Sequence, residues 1–152
     1  MVTKVIIGCD NAAVELKNTL TEFIQSLGYE TESYGAEDSS DSSLYPDIAH
    51  EVATAVSNNK ESLGILCCGT GIGMAISANK VPGIRAAQAH DVYSAKRARG
   101  SNNAHIITLG ARVIGSELAK EITKAFLDSE FEPERSANKV ERINQLEAAS
   151  SK

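Results

Sequence analysis

Short apolar runs alternate with helix-patterned segments along nearly the whole chain, and no other feature limits the fold so tightly. Val5-Ile6-Ile7, closed by Gly8, reads as a buried strand. Leu16, Leu20, Phe23, Ile24 and Leu27 then recur at helical spacing up to Gly28. Tyr29 to Tyr34 is a weaker strand, and the Ser-, Asp- and Glu-rich stretch 36–43 reads as an exposed loop. Pro46 opens a helix through Ile48, Val52, Ala55 and Val56. Leu63 to Cys68 is apolar without alternation, as expected of a central parallel strand. A glycine loop follows, then a helix from Ile72 to about Lys80, a strand from Ile84 to Gln88, and a helix through Tyr93, Ala95 and Ala98. Ile106 to Leu109 is the fifth strand, and Leu118, Ile122, Ala125 and Phe126 mark the helix after it. Parallel neighbours need crossover helices, so this order predicts a three-layer α/β/α, Rossmann-like open sheet of five parallel strands.

A chain of 152 residues predicts a single domain over 1–152. From about Glu134 a charged segment carries Val140, Ile143 and Leu146 on one face, which predicts a helical tail docked on the body or on a second subunit. The net charge of −5 gives no field for a polyanion, so no nucleic-acid partner is expected; a local basic pocket for one small phosphate stays open. Three cysteines, two of them adjacent, form neither a disulfide scaffold nor a C-x-x-C zinc site, and they fit a reducing, cytoplasmic compartment. Met1 to Asp10 lacks a small-residue cleavage site, so no signal peptide is expected. The uncharged stretch Ser62 to Asn79 is broken by polar residues and glycines, so no membrane span is expected either.

Open parallel sheets bind ligands beyond the carboxyl ends of their strands. That singles out Asp10-Asn11, Cys68-Gly69-Thr70-Gly71-Ile72-Gly73, His90-Asp91 and Gly110-Ala111-Arg112. The glycine loop lets backbone approach a ligand, and the helix start after it offers N–H groups to an anion. It is neither G-x-G-x-x-G, since Met74 stands where the third glycine belongs, nor a P-loop, so a dinucleotide or flavin is not expected. A tight strand-to-helix turn is the bland alternative. Cys68, beside the helix start, is a candidate base or nucleophile, while Cys67 should point to the other side of the sheet. Asp10 is either a group for sugar hydroxyls and proton relay or a helix cap, with Asn11 competing for the cap. His90 is a possible site-edge group; His50 and His105 read as structural or surface residues. Lys96, Arg97 and Arg99 read as a solvated face.

Taken together, Gly8-Cys9-Asp10, Tyr45-Pro46, Cys68 to Gly73, Ala78 to Arg85, His90 to Ser94 and Gly110 to Gly115 closely resemble the type B ribose-5-phosphate isomerases and galactose-6-phosphate isomerase subunits, over nearly the whole chain. The resemblance implies aldose–ketose isomerisation of a small phosphorylated sugar through an enediolate, with no metal and no cofactor. It implies Cys68 as the base between C1 and C2, Thr70 with the loop amides from Gly71 through Ile72 and Gly73 as oxyanion donors, and Asp10 at the sugar hydroxyls. Asn11, Tyr45, Gly69, His90, Ser101 and Asn102 are implied to line the substrate, and Arg112, Arg135 and Lys139 to hold the phosphate. A homodimer or tetramer with sites shared between chains is implied as well.

Three segments depart from the family pattern. Asn11 and Ser101 stand where histidine is usual, and Arg135-Ser136-Ala137-Asn138-Lys139 replaces an Arg-His-x-x-Arg run. The missing histidine at Ser101 is the family's implied ring-opening acid. Ribose 5-phosphate closes a furanose through O4, whereas a tetrose 4-phosphate has O4 esterified and cannot. Ser101-Asn102-Asn103-Ala104 and Arg135-Ser136-Ala137 also resemble the erythritol-catabolic branch, which interconverts erythrulose 4-phosphate and erythrose 4-phosphate. The expected substrate is therefore a four-carbon sugar phosphate, with ribose 5-phosphate second and galactose 6-phosphate third. A phosphosugar-binding module without catalysis is the reading from a different class.

Overall fold

The structure, a computed structural model, describes residues 1–150. Its elements are β1 (Lys4–Cys9), α1 (Val14–Ser26), β2 (Glu30–Gly35), α2 (Tyr45–Ser57), β3 (Ser62–Cys68), α3 (Ile72–Ala78), β4 (Ala86–Gln88), α4 (Val92–Gly100), β5 (Ile106–Gly110), α5 (Ser116–Asp128) and α6 (Pro133–Ser150). All strand pairs are parallel and the sheet order is β2-β1-β3-β5-β4. This is the expected three-layer α/β/α architecture. The three inner strands are almost entirely buried, while β2 reads Glu-Thr-Glu-Ser-Tyr-Gly and lies half exposed at one edge.

Two apolar clusters cover the two faces. Leu16, Leu20 and Ile24 of α1 meet Ile122 and Phe126 of α5 and Ala95 and Ala98 of α4 on one face. Ile48, Val52 and Val56 of α2 meet Met74 and Ala78 of α3 on the other. Strand alternation sends Cys67 into the first cluster and Cys68 into the second, as the pleat requires. Each large apolar side chain so buried contributes about 1.5–3 kcal/mol relative to exposure.

Several local expectations are corrected. Helix α3 ends at Ala78 rather than near Lys80, where Lys80 and Val81 turn back onto Ser77 and Ala78 carbonyls. Strand β4 keeps only three residues, because the Ile84 amide bonds to Val81 in a turn and the Arg85 amide to the His105 ring nitrogen Nδ1. On α5, Leu118 is largely exposed, and Ala119 takes the buried position instead. The basic stretch of α4 is a solvated face only at Lys96. Arg97 binds Ser101 and Glu132, and Arg99 binds Asn103 and the Ala104 carbonyl. The tail is helical from Pro133, buries Ser136 and Val140, and reaches the body through Glu147 on the Gly83 amide and Asn144 on Arg85. Ile143 and Leu146 stay 44% and 54% exposed within one chain. Among the described residues, no helix is long and apolar enough to cross a membrane.

Candidate active site

Parallel register aligns the carboxyl ends of the inner strands: Cys9 pairs with Cys67, and Cys68 with Gly110. Asp10 therefore emerges beside the Cys68 loop. Its Oδ1 accepts the Ala12 amide at 3.0 Å, a turn just ahead of α1, while Ala13 occupies the cap position without a side-chain bond. Asp10 is thus held by the turn, not used as a helix cap. Asn11 donates to the Asp41 carbonyl at 2.9 Å and ties that turn to the exposed loop.

The loop after β3 is shaped around the thiol. Cys68 is 6% exposed, and its Sγ accepts the Gly71 amide at 3.0 Å. Gly71 can make that turn because its φ of 78° lies in the left-handed region. Thr70 Oγ1 accepts the Ile72 amide at 3.2 Å, and the Thr70 carbonyl takes Gln88 at 2.8 Å. Thr108 anchors the loop from beneath, donating to the Gly71 carbonyl at 2.7 Å. The Gly71 and Ile72 amides are therefore already engaged. Of the helix-opening N–H groups, which have no acceptor within their own helix, Gly73 and Met74 remain for a ligand.

Three side chains frame this loop. The Tyr45 ring stands against Gly73, where an added Cβ would overlap it. The Arg112 guanidinium lies over Gly69, 3.3 Å from where a Cβ would be, and the Arg112 amide bonds to the Gly69 carbonyl. His90 Nε2 accepts the Gly110 amide at 2.9 Å. An accepting ring nitrogen carries no proton, so the imidazole braces β4 against β5 and offers only Nδ1–H to a ligand. The two other thiols lie deeper in the sheet. Burial pushes Cys9 up to about 11 and drives Cys67 further up still. Both are packing residues.

The remaining expected residues gather elsewhere. Helix α4 starts at the carboxyl edge and runs back for nine residues, about 13 Å, so Ser101 and Asn102 lie toward the opposite edge of the sheet. There they line a cleft of about 180 Å³ with Arg97, Arg135, Ser136, Lys139, Val140 and Ile143. Glu132 bridges Arg97 at 3.2 Å and Arg135 at 3.5 Å, and the Arg97 guanidinium holds its carboxyl below the usual range. Three cations against one carboxylate leave this cleft positive in a chain whose net charge is −5. One chain thus presents the expected site residues in two separate groups, and none of the four cleft residues lies in the Cys68 loop.

The pattern of the Ribose/Galactose Isomerase family matches residues 5–143. The chain belongs to that family. It is 56% identical over 143 residues to the D-erythrulose-4-phosphate isomerase of Pectobacterium atrosepticum, covering 94% of each chain. It is 50% identical to the Ribose-5-P isomerase B of Listeria innocua, covering 95% of this chain and 97% of that one. A solved Clostridium thermocellum ribose-5-phosphate isomerase B superposes with a TM-score of 0.94 at 40% identity, over 98% of this chain and all of that one. The protein is a sugar-phosphate aldose–ketose isomerase, and its sheet is the sheet of this family.

Two residues of this isomerase escaped the sequence reading. Lys17 is buried and donates to the Ala36 carbonyl at 2.9 Å, the carbonyl that Cys9 Sγ also reaches. Its place three before Leu20 and seven before Ile24, on the apolar face of α1, was the available signal. Arg97 lines the cleft, and its i,i+4 spacing to Ser101 was legible as well.

Proposed function

We propose that this isomerase interconverts D-erythrose 4-phosphate and D-erythrulose 4-phosphate through an enediolate, in a homodimer that completes each site with residues of both chains. The carrying observation is at Ser101. Its hydroxyl is held by Arg97 where the family resemblance implies a ring-opening imidazole. A sugar that cannot close a furanose needs no such acid. The name of the Pectobacterium relative supports the same substrate.

In this reading Cys68, as thiolate, takes the proton from C2 of the aldose and returns it to C1. The negative charge that collects on the substrate oxygens is met by the Thr70 hydroxyl and the Gly73 and Met74 amides, fixed donors that need not reorganise as charge develops. Asp10 holds the hydroxyls and moves the proton between O1 and O2. Arg112, with the partner subunit's Arg135 and the partner subunit's Lys139, receives the phosphate. Asn102 of the partner subunit contacts a substrate oxygen. Asn11, Tyr45 and His90 shape the wall, and no metal or cofactor enters a step. The domain, 1–152 with its tail, works in the cytoplasm.

The Listeria relative supports ribose 5-phosphate as a second substrate reading. Comparing kcat/KM over tetrose, pentose and hexose phosphates tests both. A preference for the tetrose is expected; a clear preference for ribose 5-phosphate would reject it. A binding module would show no solvent deuterium exchange into any of them.

A further inference from the structure

We propose that Arg97 is a positioning residue that turns the Ser101 hydroxyl into a one-way hydrogen-bond donor, aimed at an oxygen of an acyclic sugar phosphate. A serine hydroxyl has one O–H and two acceptor lone pairs. Arg97 places Nε 2.8 Å and Nη2 2.5 Å from Ser101 Oγ, so both lone pairs face guanidinium donors. The hydroxyl hydrogen must then point away from Arg97. Ser101 lines the 180 Å³ cleft, half exposed, so the proton is directed toward what enters it.

The same arginine fixes the neighbouring residue. Its backbone carbonyl accepts the Ser101 amide at 2.9 Å and the Asn102 side-chain amide at 3.2 Å. Glu132 holds the guanidinium from behind, through Nη2 at 3.2 Å, and the Glu132 amide is itself pinned on the Gly100 carbonyl at 3.0 Å. The Arg97 guanidinium, with its side chain 27% exposed, is committed to Ser101 and Glu132 and is not placed as a phosphate ligand. Arg135, 71% exposed despite its 3.5 Å contact with Glu132, and Lys139 are left for that role. A hydroxyl so held donates a hydrogen bond but does not give up its proton, because the alkoxide is far too basic. The device recognises an open-chain oxygen and cannot drive the opening of a ring. It therefore selects sugar phosphates that are already acyclic, a selectivity that rests on the tetrose reading above.

A double-mutant cycle tests it, run on D-erythrose 4-phosphate and on ribose 5-phosphate. Ser101→Ala and Arg97→Met should each lower kcat/KM for the tetrose about tenfold, the worth of one hydrogen bond. The double variant should lose no more than either single one, because Arg97 acts only through Ser101. Arg97→Lys keeps a charge for Glu132 but lacks the two-donor fork. It should match Arg97→Met in kcat/KM while its Tm stays within about 2 °C of wild type. That variant keeps the test decisive if Arg97→Met fails to fold. Multiplicative losses, an unchanged kcat/KM in Ser101→Ala, or full activity in Arg97→Lys would each overturn the inference, whichever sugar the wild type prefers. A wild-type preference for ribose 5-phosphate would overturn the substrate reading instead, while non-additive losses would still establish that Arg97 acts through Ser101.

Discussion

The two groups of site residues are built by different means. The Cys68 loop is made of backbone: it hangs from buried central strands and is held by amide and carbonyl contacts with Cys68, Thr108 and Gln88. The α4–α6 cleft is made of side chains on two helix surfaces, tied by Arg97, Glu132 and Arg135. Changing a side chain on a helix face costs little in stability, whereas reshaping a loop between buried strands disturbs the core. On the proposed function, chemistry common to the family would belong to the first kind of site, and substrate choice to the second. Two of the three departures from the family pattern, at Ser101 and in the run 135–139, fall in the cleft, while Asn11 sits in the turn after β1.

The division predicts its own failures, beginning with the largest. Cys68→Ala should lower kcat by about a thousandfold or more, as removal of a general base does, with a small change in Tm. Turnover within tenfold of wild type would place the base elsewhere. Gly73→Ala pushes a Cβ into the Tyr45 ring and should reduce kcat more than it raises KM. An effect on KM alone would mean that the loop amides serve binding rather than the transition state. In the cleft the pattern should reverse. Arg135→Ala should raise KM about tenfold with kcat nearly intact, as expected of uniform phosphate binding. A pure kcat loss would break the comparison.

The last effect is on stability rather than turnover and lies away from both groups of site residues. Burial, joined by the Arg85 and Arg99 charges, pushes the His105 imidazole down to about 4. In the unfolded chain it titrates near 6.5, so between about pH 6.5 and pH 4 the unfolded state binds the extra proton. Stability should therefore fall as pH drops through that window, and His105→Asn should flatten the fall. Urea midpoints against pH check this. Equal slopes for the two proteins would show that His105 titrates alike folded and unfolded.

Much of the fold was legible because strands and helices write their periods locally. Cys67 and Cys68 separate to opposite faces by alternation alone. The place of β5 between β3 and β4 was not legible, since order among parallel strands is set by long-range packing. Its traces are only compositional: the polar Glu30–Gly35 and the short Ala86–Gln88 mark the edges. The Cys68 loop was readable from its glycines. The split of the site was not, because Ser101 follows His90 closely in sequence, and only the antiparallel run of α4 carries it to the other edge. Arg97 looked like a surface charge until Glu132, thirty-five residues on, closed over it.

In the proposed dimer each complete site joins the Cys68 loop of one chain to the cleft of its partner. Hybrids of a Cys68→Ala chain and an Arg135→Ala,Lys139→Ala chain, co-expressed with different tags and purified through both, test it directly. In a shared-site dimer one site of each hybrid carries every lesion and the other none, so hybrids should recover about half of wild-type activity at limiting substrate. If each chain builds its site alone, every site carries a lesion, and hybrids no more active than the mean of their parents would contradict the account.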